Sequence, residues 1–334
     1  MSMRHLLWLP FFGTLAIALL VFEANGITAT TLAAFLLPAI CLCGALRQKR
    51  ALIINVLAGI TFVIVQLLRP GSPRVSACVN AECSSRGALW QRVIDEREAT
   101  RAGLMLSAHL GAMRGKELRT FDALIDSEWR AMPEDWRGMP NPLLMVSTPG
   151  RVESLRVRAR HEGKRPCILF LHGFGGLLSL YVHAISEGTR GEFDIVAPAL
   201  DPLGGWWTER GLGVIEATLD SLPADVDRVY LVGLSNGGIG ATGVLQHPKL
   251  AKRFAGVVLV SGVGDTSELT AAPPTKVLLV SGSQDPRFTG AWVAQQVSSL
   301  RETGANVTWA SWPADHFLLL THSREWTSRF LAWR

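Results

Sequence analysis

The sequence predicts an α/β protein with a doubly wound, mostly parallel sheet over residues 143–334. Short apolar runs at 143–147, 155–160, 167–171, 194–198, 229–232, 256–260, 276–280 and 307–310 are mostly separated by helix-length segments. Strands that alternate with helices imply a parallel sheet covered on both faces. The runs from 167 onward show no apolar–polar alternation, as strands buried on both faces require. Residues able to do chemistry follow several of these runs at their carboxyl ends, where open sheets of this kind gather functional groups.

The chain before residue 143 differs in kind. Apolar residues make up 48% of the 334, and the excess sits almost wholly in the first 70. Runs at 6–22, 27–46 and 51–68 are each about 17 to 20 residues, near the length that spans a hydrocarbon core as a helix. Phe22, Glu23 and Ala24 offer no small-x-small cleavage site, and two further apolar runs follow. That favours an uncleaved anchor of about three transmembrane helices over 1–70 in place of a signal peptide. Arg4 and the RQKR link at 47–50 are basic, whereas the 23–26 link is not. The excess of positive charge on cytoplasmic loops then puts the N-terminus and the second link in the cytoplasm, and everything after the third run on the outer, periplasmic side. Arg69 and Arg74 oppose that orientation. Cys78 and Cys83 favour it, because a short cysteine-closed loop belongs in an oxidising compartment.

Residues 71–142 read as a linker and helical segment. RPGSPR at 69–74 has linker composition. Stretches 90–110 and 117–131 look helical, with Leu118, Phe121, Leu124 and Ile125 at helical spacing. They suit packing on the flank of the sheet, a lid over a site, or a membrane-proximal collar. An irregular connection at 133–142, rich in Pro, Trp and Gly, closes the segment. The sheet domain follows, and its run at 155–160 alternates apolar with basic residues, as an exposed antiparallel edge strand would.

Charge and cysteine usage exclude several functions. Net charge is +5, but the basic residues are interspersed with acidic ones and no long basic run occurs. This is surface solvation and no nucleic-acid footprint. The five cysteines have no metal-ligand spacing. Neither a metal nor an organic cofactor is expected, and the oligomeric state is not readable.

The domain is organised around RVYLVGLSNGG at 228–238, a buried strand running into a tight turn and a helix over 239–246. Gly233, Leu234, Ser235, Asn236 and Gly237 form G-x-S-x-G, the nucleophile elbow. The glycines are needed because the serine backbone is strained there and Cβ atoms beside it would collide with the adjoining helix or strand. In a chain with 32 glycines the pattern alone is weak. The flanking strand and helix separate it from an ordinary glycine-rich turn.

HGFGG at 172–176 follows an early strand and can turn backbone N–H groups toward a developing oxyanion. Phe174 N–H and Asn236 N–H are the expected donors. A phosphate cradle is the rival, but no G-x-x-x-x-G-K-[ST] follows. His172 reads as a turn-stabilising histidine. A serine hydroxyl needs an imidazole to take its proton, and the imidazole needs a carboxylate to fix its tautomer. His316, beyond the last strand, and Asp285, beyond the strand at 276–280, supply them in the chain order Ser235, Asp285, His316. Asp265 is the rival acid and Asp201 a weaker one. His183, His247 and His322 have no comparable placement. Trp206 and Trp207, in ALDPLGGWWTER, are candidate substrate-binding residues with core packing as the alternative.

On these motifs, residues from about 143 to 334 resemble the α/β-hydrolase superfamily. HGFGG, GLSNGG, SQDPRF and ADHF stand where it has its oxyanion loop, nucleophile, acid and base. The resemblance implies a compact esterase-like core in the manner of the carboxylesterase and dienelactone hydrolase group. Only 265–275 separates the sixth and seventh strands, so the usual helical cap insertion is nearly absent. The expectation is a membrane-anchored serine hydrolase that cleaves carboxylic esters, lipid or otherwise apolar, through an acyl-enzyme on Ser235. The alternatives are an acyltransferase with the same triad and a non-catalytic membrane interaction protein. Its partners would be a small-molecule or lipid ester and a membrane, with no nucleic acid.

Overall fold

The computed structural model of the chain describes residues 11–12, 14–19, 29–45, 49–68, 71–72, 74–88, 90–109, 111, 115–133, 136 and 139–334. They fall into two compact units, Met1–Gly71 with Ala88–Arg130, and Ser72–Gly87 with Ala131–Arg334.

The first unit is helical: α1 (Ala29–Ala45), α2 (Lys49–Leu68), α3 (Trp90–Val93), α4 (Glu96–His109) and α5 (Gly115–Ala131). The helix expected over 90–110 is broken at 94–95, where Asp95 Oδ1 accepts the N–H of Glu98 and starts α4 afresh. Arg97–Asp126 (2.6 Å) and Arg101–Asp122 (2.9 Å) join α4 to α5. Three membrane-spanning helices are not supported, since among the described residues no helix is long and apolar enough to cross a membrane. The first apolar run is described only at 11–12 and 14–19. At 1.5 Å per residue the 17 residues of α1, which include Pro38, reach about 26 Å against a core of about 30 Å. Two of α2's 20 residues are Lys49 and Arg50.

In the second unit the described strands form one nine-stranded sheet. They are β1 (Val75–Val79), β2 (Glu82–Ser84), β3 (Glu153–Val157), β4 (Arg165–Leu171), β5 (Asp194–Pro198), β6 (Val226–Leu234), β7 (Gly256–Val260), β8 (Val277–Gly282) and β9 (Val307–Trp312). The order is β2-β1-β3-β5-β4-β6-β7-β8-β9, parallel from β5 to β9 and antiparallel from β2 through β3 to β5. The mostly parallel α/β class read from the sequence is the one observed. Strands β5, β7 and β8 are buried along their whole length, which explains the apolar runs at 195–198, 256–260 and 277–280.

Three expectations need correction. Residues 143–147 do not form a strand: Pro142, without an N–H, opens a 3-10 turn over Pro142–Leu144, and Asn141 Oδ1 accepts the N–H of Leu143. β3 is antiparallel but is no exposed edge, because the hairpin β1–β2 (75–84), assigned by its sequence to the linker, pairs along it. Arg156, the basic residue within β3, donates from Nη2 to Asn80 O and to Ser221 O and Oγ. The Cys78–Cys83 disulfide joins directly opposed residues of that hairpin.

Helices cover both faces of the sheet. On one, Val214 and Ile215 of α7 (Glu209–Asp220), Ala241 and Val244 of α8 (Asn236–Leu245) and Val293 and Val297 of α10 (Gly290–Glu302) pack with Leu169, Leu171, Leu231, Val257 and Leu279; α9 is the short Pro248–Ala251. On the other, Tyr181 of α6 (Ser179–Gly188) meets Phe170. After α11 (Leu318–Thr321), Phe330 of α12 (Ser323–Trp333) packs on Tyr230 and Phe193. β4, β6, β7, β8 and β9 run parallel, so their carboxyl ends come out along one edge of the sheet.

Candidate functional site

Ser235 stands between β6 and α8 with φ 53° and ψ −115°, a conformation that L side chains rarely adopt. The sequence around it removes every Cβ that would forbid this. A Cβ on Gly233 would lie 2.2 Å from Gly237 O, and one on Gly237 2.1 Å from Leu171 O. Gly262, after β7, is under the same pressure: its Cβ would stand 2.1 Å from Ser235 O.

His316 follows β9 and reaches both partners. Its Nδ1 is 2.8 Å from Asp285 Oδ2 and its Nε2 is 3.0 Å from Ser235 Oγ. A carboxylate only accepts, so Nδ1–H is the donor to Asp285 and the lone pair of Nε2 is left for the Ser235 hydroxyl. The side chain of Asp285 is fully buried and that of His316 nearly so. Asp285 also forms its own turn, with Oδ1 accepting the N–H groups of Arg287 (2.8 Å) and Phe288 (3.1 Å). Asp315 Oδ1 accepts Phe317 N–H and folds the turn that carries His316. Phe288 stacks on the His316 ring at 5.9 Å with planes 10° apart, a contact with no mark in the sequence beyond an aromatic three places after the acid.

The HGFGG loop lies beside the serine, since a Cβ on Gly173 would stand 3.0 Å from Ser235 Cβ. Among the described residues the backbone N–H groups of Phe174 and Asn236 meet no backbone carbonyl. His172 is a structural histidine. Its Nδ1–H donates to Gly173 O (2.8 Å) and its Nε2 accepts Leu200 N–H (3.1 Å). Complete burial pulls its pKa down to about 4.

The other candidates separate cleanly. Asp265 is exposed, accepts Ser267 N–H and forms no bond to His316. Asp201 Oδ1 accepts Leu203 and Gly204 N–H and builds a turn. Trp206 is core: it is wholly buried, donates Nε1–H to His172 O (2.9 Å) and packs edge-on to that ring. Trp207 is 46% exposed. His183 is buried edge-on to Trp136, His247 is exposed, and His322 pairs with Thr321 Oγ1.

No protein-family profile matches the chain, and no curated protein matches it. Among solved structures it is similar to a thermostable esterase at 21% identity and TM-score 0.42, with 54% of this chain and 56% of that one covered. It thus spans little more than half the length of that esterase. A Bacillus cereus carboxylesterase gives 19% identity and TM-score 0.44 over 54% of this chain and 94% of the other. A Pyrococcus furiosus esterase gives 13% and 0.46 over 57% and 88%. At these values the likeness concerns the chain trace alone, and no residue role is taken from it.

Proposed function

We propose that this chain is a serine hydrolase that cleaves carboxylic esters of apolar character through an acyl-enzyme on Ser235. The observation that carries the proposal is the unbroken relay from Asp285 Oδ2 through His316 to Ser235 Oγ, at 2.8 and 3.0 Å. Ser235 Oγ attacks the ester carbonyl while His316 Nε2 takes its proton, and Asp285 stabilises the imidazolium. The carbonyl oxygen becomes an oxyanion that the N–H groups of Phe174 and Asn236 receive. Collapse of this intermediate breaks the ester C–O bond, and His316 returns the proton to the leaving alkoxide. Water, deprotonated by His316, then attacks the acyl carbon and frees the acid and Ser235.

An apolar substrate is supported by Phe174, Leu203 and Trp207, which are 44%, 64% and 46% exposed on the HGFGG loop and on the 199–208 loop, which accepts Gly175 N–H and the Asn236 side chain. Trp206 leaves the substrate-binding set because it is core. Membrane attachment through the N-terminal apolar runs, with the sheet unit outside, belongs to the same proposal. Its supports are the composition of those runs and a disulfide that suits an oxidising compartment.

The test is fluorophosphonate labelling of the full chain together with turnover of p-nitrophenyl esters of increasing acyl length. Ser235→Ala is expected to abolish labelling, and His316→Ala to lower kcat by about a thousandfold or more. Turnover is expected to rise from acetyl to longer acyl esters. Undiminished turnover in Ser235→Ala would refute the proposal, and a preference for acetyl esters would remove its apolar part.

A further inference from the structure

The loop between β5 and α7, residues 199–208, bonds to the residues that flank Phe174 and to the side chain of Asn236. On the HGFGG side, Leu200 N–H donates to His172 Nε2 (3.1 Å) and Trp206 Nε1–H to His172 O (2.9 Å). Gly175 N–H donates to Pro202 O (2.7 Å). Gly204, at φ +64°, lets the loop close on Gly173 O, from which a Cβ would be only 3.0 Å. On the nucleophile side Trp206 packs closely on Gly240 of α8, and among the described residues the hydrogen bond that joins loop and elbow is Asn236 Nδ2 to Leu203 O at 2.7 Å. The turn carrying Leu203 is itself preformed by Asp201 Oδ1, which accepts the N–H groups of Leu203 (2.9 Å) and Gly204 (3.0 Å).

The two oxyanion donors come from separate elements, one after β4 and one at the start of α8. Hydrogen bonds aimed at a developing charge are effective only if both donors are already in place, because moving them during the reaction costs what they would contribute. We propose that the Asn236 side chain is a positioning residue: it pins the 199–208 loop across the elbow and so fixes the Phe174 N–H against the Asn236 N–H. This rests on Ser235 being the nucleophile. The tether sits next to the reacting serine but makes no contact with the His316 relay, so it acts on the oxyanion and leaves proton transfer alone. Leu203, whose carbonyl takes the tether, is 64% exposed.

The experiment uses the full chain, with active sites counted by fluorophosphonate titration, and compares wild type with Asn236→Leu and Asn236→Asp. Both variants keep the side-chain size and remove the donor. Per titrated site, kcat of Asn236→Leu is expected to fall about fivefold to tenfold with KM within about twofold, as losing one positioning hydrogen bond would do, and Asn236→Asp, whose charge also opposes the oxyanion, should fall at least as far. The affinity of an aliphatic trifluoromethyl ketone, which forms an oxyanion on Ser235, should fall by the same factor. The pH midpoint of kcat should not move in Asn236→Leu, which adds no charge. Counting sites excludes misfolded protein, and Asn236→Ser, which retains a short donor, should recover part of the loss. Unchanged kcat and ketone affinity per site in both isosteric variants would overturn the proposal while the serine hydrolase reading stands. A wild-type chain that neither labels nor turns over ester would overturn both.

Discussion

Ser235 and Ser261 are two buried serines at neighbouring strand ends, and both have positive φ, 53° and 46°. They differ in what the strain holds. At Ser235 it presents a hydroxyl to His316. At Ser261 the hydroxyl is buried with no hydrogen-bond partner among the described residues, so both the backbone and the polar atom carry a cost. Ser261→Gly should therefore stabilise the protein by about 1 kcal/mol, read as a higher melting temperature with fluorophosphonate labelling unchanged. A lower melting temperature would show that the Ser261 side chain has a packing role outweighing its strain. Gly233→Ala should do the reverse, because its Cβ would meet backbone at 2.2 Å and nothing flexible can yield; a loss of about 3 kcal/mol or more is expected, together with labelling. At this scale the sequence was informative where strain needs glycine, as in G-x-S-x-G. It was silent at Ser261, since a non-glycine residue in a left-handed conformation leaves no compositional trace.

Among elements, β1 and β2 were the ones missed. A five-residue strand and a three-residue strand in a segment that opens on RPGSPR carry too little periodicity to be told from a loop. They join the sheet because β3 would otherwise expose an unpaired edge, and Asn80 helps by accepting Val152 N–H on its Oδ1 (2.8 Å). The Cys78–Cys83 bridge closes a short loop, for which chain entropy gives about 2 kcal/mol. Replacing both cysteines by serine should lower stability by about that amount in urea unfolding and leave ester turnover intact, because the hairpin sits at the opposite end of the sheet order from β8 and β9. A loss of turnover at full folding would show that the hairpin shapes the site. The acid and the base were legible as elements, each a polar residue just past an apolar run.

The molecule as a whole should be sensitive to acid through His172. Its pKa falls from 6.5 to about 4 on folding, because burial penalises the charged ring. Unfolded chains therefore take up a proton here before folded ones do. Stability from this group is fully present above pH 6.5 and is lost as pH falls through the window to about 4, a change of about 3 kcal/mol. Denaturant midpoints measured between pH 7 and 4 should drop accordingly, and His172→Gln, less stable at pH 7, should flatten that part of the profile. An unchanged slope in the variant would assign the acid sensitivity to other groups.

By itself the sequence determined the α/β class, the positions of the buried strands along the chain and the set Ser235, Asp285 and His316 as candidates. Those signals are local: apolar runs, their spacing, and polar residues at their ends. Only the tertiary structure decided between Asp285 and Asp265, turned Trp206 into core and left Trp207 exposed, drew the 75–84 hairpin into the sheet, and tied Leu203 to Asn236. Each of these depends on where a side chain or strand edge points after segments distant in the chain meet. His316 and Ser235 are 81 residues apart, and no pattern read along the chain carries that direction.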